Sequence, residues 1–359
     1  MANDSNRDMP SFPIVDAHQD IAFNSVVLRR DFMLSARERR RREMPAATSW
    51  GIATVGFPEM EEGNIRVALA SIWAAACQNP TGIPVKPCYE TPEEACEQGQ
   101  QQLSYYEKLT SNPRISIVRT KRSLEDATEG EYHLSLVISM EGADPIISPK
   151  HLHDWVKRGV RVIGLAHGRT RYSGGTRQPG PLTRLGRELL SEMEHEPVIL
   201  DTSHMAEESF FEALDIFKGP VIATHSNCRA LVPTDRQLSD EMIRAIAKRE
   251  GVIGIVLFNK FLAPDWDKTG QVKQHVTLGD VIKHVEHMCK VAGDSHYIGV
   301  GSDFDGGFGS ESIPAELDTI ADLPKLANAL SRAGFSEHEI GGILGKNWLR
   351  FLNDALPST

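Results

Sequence analysis

The chain of 359 residues is long enough for one large α/β barrel or for two or three smaller domains. Forty per cent of its residues are hydrophobic and 25% are charged, as in ordinary globular proteins, and a formal net charge of −10 argues against a nucleic-acid-binding surface. No apolar stretch approaches the length of a membrane span, and the polar N-terminus lacks a signal-peptide core, so we expect a cytoplasmic protein.

Eight apolar runs rich in Val and Ile recur along the chain, and most are followed by a helical pattern. They cover residues 13–18, 66–75, 133–142, 161–168, 197–204, 220–226, 251–258 and 297–306. Continuous apolar runs are typical of strands that are buried on both faces of a parallel sheet. Eight strand–helix units predict an α/β fold, a single (β/α)8 TIM-type barrel over residues 13–359. A doubly wound open sheet is the alternative, but no GxGxxG motif follows any of the strands.

Three further segments do not follow this rhythm. We expect residues 1–12 to form a disordered or extended tail, and residues 115–118 to form a short edge or accessory strand. A long insertion at about residues 29–63 separates the first two strands, and such loops often determine the substrate specificity of a barrel. The basic run at residues 37–42 lies in this insertion and is predicted to be a solvated helix face, since glutamates interrupt and flank it.

The five cysteines form no CxxC pair. With no export signal in the sequence, we expect all of them to be free thiols in a reducing compartment. They are Cys77, Cys88, Cys96, Cys228 and Cys289.

Histidines and acidic residues stand at the ends of six of the eight predicted strands. They are His18, Asp20, Glu141, His167, His204, His225, Asp303 and Asp305. All strands of a parallel barrel end on the same face, so these side chains should converge there. A single histidine is more often packed than ligating, but buried charge at six strand ends is costly unless it is paired or bound to metal.

The chemistry of this set favours a metal centre. It contains no cysteine, and nitrogen and oxygen ligands suit Zn²⁺, Mn²⁺ or related divalent ions. There are more candidate ligands than one catalytic zinc ion uses, so the pattern predicts two ions, a carboxylate between them and a hydroxide nucleophile.

Seven motifs, in this order, resemble the renal (membrane) dipeptidase family of zinc peptidases, within the amidohydrolase-like metal barrels. They are DAHQD, SMEGAD, GLAHG, DTSHM, ATHSN, DRQLSDE and GSDFDG, and the resemblance extends from about residue 13 to residue 352. It implies a binuclear dipeptidase with two Zn²⁺ per chain, or with other divalent ions such as Mn²⁺ or Co²⁺. It further implies small dipeptides as substrates, with neither nucleic acid nor membrane as a partner. The sequence leaves the oligomeric state open, although a homodimer is common where this resemblance holds.

The resemblance also assigns the metal ligands. His18 and Asp20 would bind one zinc ion. His204 and His225 would bind the other, and Glu141 would bridge the pair and so take part in catalysis.

Three other residues would act on the substrate. Asp303 would orient the bridging hydroxide and carry its proton to the leaving amine, and His167 would polarise the scissile carbonyl and stabilise the oxyanion. Arg236 would bind the substrate carboxylate, the alternative being a surface arginine paired with Asp235 or Asp240.

Two other functions are weighed against this one. A related binuclear amidohydrolase, acting on N-acyl amino acids or other small amides, commonly opens with HxH and bridges its metals through a carbamylated lysine after the fourth strand. Here the first motif is HxD and the fourth strand ends at His167. A catalytically inactive scaffold protein would have lost a ligand, and none is missing.

Overall fold

The structure is a computed structural model that describes residues 12–43, 50–78, 85–130 and 133–358. The expected N-terminal tail lies outside the described residues, apart from Phe12. The strands are β1 Ile14–Gln19, β2 Ile65–Ile72, β3 Ile115–Ile117, β4 Leu134–Glu141, β5 Val160–Gly164, β6 Ser173–Gly175, β7 Gln178–Leu182, β8 Ile199–Asp201, β9 Val221–Ile222, β10 Ile253–Ile255 and β11 Ile298–Val300.

Helices follow most of the strands. They are α1 Ile21–Val26, α2 Ala36–Glu43, α3 Phe57–Glu62, α4 Pro92–Leu109, α5 Lys121–Glu129, α6 Leu152–Lys157, α7 Arg184–Met193, α8 Glu207–Ile216, α9 Asp240–Lys248, α10 Asn259–Leu262, α11 Leu278–Ala292, α12 Lys325–Arg332, α13 Glu337–Gly341 and α14 Asn347–Ala355. Several begin at a side-chain cap of the type expected from sequence, such as Ser239, which accepts a hydrogen bond from the backbone N–H of Met242.

Eight parallel strands form the predicted barrel. Their order is β10–β11–β1–β2–β4–β5–β8–β9, and a parallel bridge between Ala223 and Ile253 joins the last strand to the first. Each of the eight predicted apolar runs overlaps one of these strands. The accessory strand is also confirmed, because β3 lies outside the barrel order and pairs with the first residues of β4. The antiparallel hairpin β6–β7 after β5 was not predicted.

Alternate residues of the barrel strands pack in two separate layers. One set packs against the surrounding helices. The other set fills the barrel interior and includes Val15, Leu69, Val137, Val162, Ile199 and Ile222. Trp348 of α14 packs against this interior set. The candidate ligands lie beyond these apolar layers, at the carboxyl ends of the strands and in the loops that follow them.

The insertion between β1 and β2 contains helices α2 and α3, and its basic run is only partly solvated. Arg37, Arg41 and Arg42 are exposed, as expected. Arg39 is instead buried, with Nη1 4.0 Å from Asp305 Oδ2. Arg40 donates to Asp318 Oδ1 at 2.8 Å and to the carbonyl oxygen of Ala53. The prediction of a solvated face is therefore wrong for these two arginines, whose acidic partners lie far away in the sequence.

The expectation of five free thiols is also wrong. Cys77 and Cys88 form a disulfide, whereas the other three cysteines are free. The two cysteines meet because the chain doubles back: the N–H of Tyr89 donates to the carbonyl oxygen of Ala75, and the N–H of Cys77 donates to that of Tyr89.

No helix within the described ranges is long and apolar enough to cross a bilayer.

Candidate active site

The barrel brings all the predicted metal ligands to one place. His18 and Glu141 lie at the ends of β1 and β4, Asp20 directly follows β1, and His204 and His225 lie in the loops after β8 and β9. Four of them are buried, and the His204 side chain is only 10% exposed.

Glu141 lies at the centre of this group. Its Oε1 is 3.0 Å from His204 Nε2 and 3.4 Å from His225 Nε2, while its Oε2 is 3.8 Å from His18 Nε2. The two oxygens of one carboxylate therefore face two different sets of ligand atoms, which is the arrangement expected of a bridge.

The Nε2 atom of His18 faces the carboxylates of the site. Its Nε2 lies 3.8 Å from Asp20 Oδ1 and 3.9 Å from Asp303 Oδ1, and it has no hydrogen-bond partner in the described part of the chain. A buried nitrogen without a partner is unfavourable unless something binds it. The hydroxyl of Ser71 donates to Asp20, and the His18 ring stacks on that of His225 with 3.7 Å between centroids.

A hydrogen-bond relay from β8 fixes the tautomer of His225. The Thr224 hydroxyl donates to Asp201 Oδ2 at 2.5 Å, and lies 2.9 Å from His225 Nδ1. Because a hydroxyl has only one proton, it accepts here from Nδ1–H, which leaves Nε2 with a free lone pair for a metal. Backbone N–H groups of Ser203 and Thr224 hold the Asp201 carboxylate in place.

His204 is oriented by the β6–β7 hairpin. Thr176, at the tip of this hairpin, has its hydroxyl 3.0 Å from His204 Nδ1, and its N–H donates to the carbonyl oxygen of His204 at 2.9 Å. Sequence reasoning missed both Asp201 and Thr176. The first stands in the DTSHM motif, whereas no pattern in the sequence marks the second.

Two of the site residues have left-handed backbone conformations. His204 has φ 64° and Asp303 has φ 62°, which is unfavourable for residues other than glycine and occurs preferentially at functional sites. Gly306 makes room for Asp303, since a Cβ there would lie 1.9 Å from Asp303 Oδ1. The final glycine of GSDFDG is thus required by packing.

Burial dominates the electrostatics of the site. It raises the pKa of Glu141 and of Asp303. Burial, assisted by the neighbouring His204, lowers the pKa of His167 to about 4, so the His167 imidazole is neutral at pH 7. For His18, burial alone would lower the pKa, but Glu141 and Asp20 outweigh it and raise the pKa to about 10. The excess of buried negative charge is what a cation would neutralise.

A cavity of about 500 Å³ opens directly over these residues. Asp20, Glu141, His167, His204, Arg236 and Asp303 line it, together with two groups of aromatic side chains. Arg236 is buried rather than on the surface, and it donates to Ser226 Oγ and to the carbonyl oxygen of His225.

Asp305 is the one strand-end residue that faces away from the cluster. Its carboxylate accepts hydrogen bonds from the N–H and hydroxyl of Thr54, both at 2.6 Å, and from the N–H of Val55 at 3.2 Å. It therefore anchors the insertion to the end of β11. Gln19 also has a structural partner, since its Nε2 donates to Asp16 and Ser302.

The residues present fit a metal centre. Three overlapping triads each bring potential ligand atoms within 4.8 Å of one another: His18, His225 and Asp303; Glu141, His167 and His204; and His18, Asp20 and Glu141. Together with the unpartnered His18 Nε2 and the tautomer fixed at His225, this donor set suits hard or borderline divalent cations.

Known proteins are similar to this chain in sequence and in fold. The model of the membrane dipeptidase family (Peptidase family M19) matches residues 4–356. An uncharacterized protein in the pqqA 5′ region of Klebsiella pneumoniae is 30% identical over 266 residues, which are 71% of this chain and 94% of that protein. Dipeptidase aclJ of Aspergillus oryzae is 24% identical over 352 residues, 95% of this chain and 78% of the relative.

Two solved structures have the same fold. The dipeptidase AC, a metallopeptidase, superposes with a TM-score of 0.80 at 23% identity, covering 97% of this chain and 100% of its own. A metallopeptidase from Rhodobacter sphaeroides, with a phosphinate mimic of the dipeptide L-Ala-D-Ala, gives a TM-score of 0.78 at 24% identity over 96% and 99%. Because the family model matches nearly the whole chain, this protein belongs to the membrane dipeptidase family, Peptidase family M19, and is a metal-dependent dipeptidase.

Proposed function

We propose that this chain hydrolyses the peptide bond of dipeptides at a binuclear zinc centre. The observation that carries the proposal is the position of Glu141, whose two carboxylate oxygens face His204 and His225 on one side and His18 on the other. In this arrangement His18 and Asp20 would hold one ion, and His204 and His225 the second. Such a pair of ions would supply the nucleophile, since bound divalent metal lowers the pKa of water.

The chain's own residues would bind the substrate and move protons. A neutral His167 can donate one N–H to the scissile carbonyl oxygen and stabilise the negative charge that develops there. Asp303, buried and 3.9 Å from His18 Nε2, would accept a proton from the attacking water and pass it to the leaving amine. Arg236 would bind the C-terminal carboxylate of the dipeptide.

Metal counting and substrate profiling test the proposal together. The zinc-reconstituted protein is analysed for metal by elemental mass spectrometry, and is assayed on L-Ala-L-Ala, L-Ala-D-Ala and N-acetyl-alanine. We expect two zinc ions per chain and hydrolysis of dipeptides. One ion per chain would contradict the binuclear centre, whereas hydrolysis of the N-acyl amino acid alone would favour the related amidohydrolase activity.

The bridging role is tested by Glu141→Gln. An amide lacks the full negative charge of the bridge, so this variant should lose most of its activity and bind less metal. Asp305→Asn is the matched control, because it makes the same chemical change at a strand end that faces away from the cluster, and it should retain both ions. Near wild-type activity with two ions in Glu141→Gln would refute the bridge.

A further inference from the structure

We propose that Trp50 determines substrate specificity: with Phe23 and Trp73 it forms a subsite for an apolar, preferentially aromatic, side chain on the amino-terminal residue of the dipeptide. The inference rests on the proposed function. It assigns a role to the insertion between β1 and β2, whose function the sequence left open.

The aromatic residues of the cavity form two separate groups. Trp50, Phe23 and Trp73 make up the first, with ring centroids 5.2 Å apart for Phe23 and Trp50 and 4.7 Å apart for Phe23 and Trp73. The second group comprises Phe258, Phe261 and Phe308, in which Phe258 stacks on Phe308 at 4.2 Å and lies 5.0 Å from Phe261. All six side chains line the cavity over the metal ligands.

Each group adjoins a different substrate-binding residue. The Trp73 ring lies 5.0 Å from that of His167, whereas the Arg236 guanidinium lies over the Phe261 ring at 5.4 Å. The scissile carbonyl belongs to the amino-terminal residue of a dipeptide, and the free carboxylate belongs to the other residue. A substrate held by His167 at its carbonyl and by Arg236 at its carboxylate therefore presents its amino-terminal side chain to the group that contains Trp50.

The backbone around Trp50 is held firmly. Gly51 has φ +76°, and a Cβ there would lie 2.2 Å from the backbone nitrogen of Gly309, so the two segments pack backbone against backbone. Arg30 Nη2 donates to the carbonyl oxygen of Gly51 at 2.5 Å, and Ser310 N–H donates to that of Ile52 at 2.9 Å. Farther along, Asp305 binds the segment as described above.

This packing gives the indole a defined position. Trp50 Cζ3 lies 3.8 Å from the position of a Cβ on Gly307, so its ring edge rests on the loop that carries Phe308. Trp50 is half-buried, contacts the rings of the buried Phe23 and Trp73, and lines the same cavity as they do. A pre-positioned aromatic surface binds an apolar side chain with little loss of conformational entropy.

The test compares Phe-Gly with Gly-Gly as substrates of the zinc-loaded enzyme. Glycine as the second residue removes any effect of stereochemistry at that position. We expect the wild type to prefer Phe-Gly in kcat/KM, and Trp50→Ala to lower the ratio of Phe-Gly to Gly-Gly by about ten- to a hundredfold, the usual discrimination of an apolar pocket. Trp50→Phe should retain most of the preference.

Phe258→Ala is the matched control, since it removes an aromatic ring from the other group and should leave the ratio near its wild-type value. Metal content and the thermal unfolding midpoint, measured for each variant, report damage to the fold. Equal losses of kcat/KM on both substrates in Trp50→Ala, or a wild type without preference for Phe-Gly, would overturn this inference but not the proposed function. Hydrolysis of neither substrate by the metal-loaded wild type would overturn the proposed function and the inference with it.

Discussion

Replacing Arg236 by alanine should impair hydrolysis of free dipeptides far more than hydrolysis of dipeptide amides. The guanidinium is held by two hydrogen bonds, from Nη1 to Ser226 Oγ at 3.0 Å and from Nη2 to the carbonyl oxygen of His225 at 2.6 Å. Its Nε has no partner among the residues that the structure describes, although it is buried. A guanidinium has five N–H donors, so this arrangement leaves enough of them for a carboxylate.

The magnitude follows from the kind of bond that is lost. A hydrogen bond to a charged group contributes about 1.5–3 kcal/mol, which corresponds to about ten- to a hundredfold in kcat/KM. Alanine would also remove the contact with Phe261 and the support of the His225 carbonyl. Those losses affect every substrate alike, so they cancel when a dipeptide is compared with its amide.

The assay is therefore the ratio of kcat/KM for a dipeptide to that for its amide, measured for wild type, Arg236→Ala and Arg236→Lys. The ratio should fall by about ten- to a hundredfold in Arg236→Ala. Lysine keeps the charge without the planar pair of donors, so its ratio should be intermediate. If both substrates lose equally in Arg236→Ala, the residue supports the fold or the chemistry and does not bind the carboxylate.

Three other substitutions separate proton transfer, metal binding and anchoring of the insertion. Asp303→Asn should lower kcat by about a hundredfold or more in steady-state kinetics, while elemental analysis shows that the metal content is retained. Loss of metal would make Asp303 a ligand. Thr176→Val removes the hydroxyl beside His204 Nδ1 and should weaken metal binding about tenfold or more in chelator competition, whereas Thr176→Ser should not. Asp305→Asn should reduce the free energy of unfolding, measured by urea titration, by about 1–3 kcal/mol, because buried donors of Thr54 lose a charged acceptor. Both ions should be retained. Unchanged stability would contradict the anchoring role.

The barrel and the convergence of its strand-end residues could be predicted because the evidence is local. Each barrel strand is a short apolar run, and the polar residue that follows it is the candidate ligand. The parallel topology then brings together residues as distant in sequence as His18 and Asp303. No knowledge of a particular contact was needed, only of the face on which parallel strands end.

Features that depend on one specific distant contact could not be predicted. The helical period of the basic run does not reveal that Arg39 meets Asp305. The spacing of Cys77 and Cys88 likewise does not reveal that they form a disulfide. The hairpin that presents Thr176 is rich in glycine and shows no alternation of apolar residues. The role of Asp201 depends on the register of β8 and β9, which brings Thr224 to its carboxylate.

The buried carboxylates at this end of the barrel separate into two classes by their hydrogen-bond donors. Asp201 and Asp305 each accept from several N–H or hydroxyl groups, and Asp16 likewise accepts from the N–H and hydroxyl of Ser302 and from Gln19. Such carboxylates are satisfied by the protein alone.

The second class has few such donors. Asp20 accepts from the Ser71 hydroxyl, Glu141 lies 3.0 Å from His204 Nε2, and Asp303 comes no nearer to His18 Nε2 than 3.9 Å. Burying negative charge with so few donors is unfavourable unless a cation compensates it. Asp16 of the first class and Asp20 of the second each stand two residues from His18, and Asp305 and Asp303 stand two residues apart, so spacing in the sequence does not separate the classes. The donors that surround each carboxylate do, and by this measure Asp20, Glu141 and Asp303 are the buried acids that the protein itself compensates least.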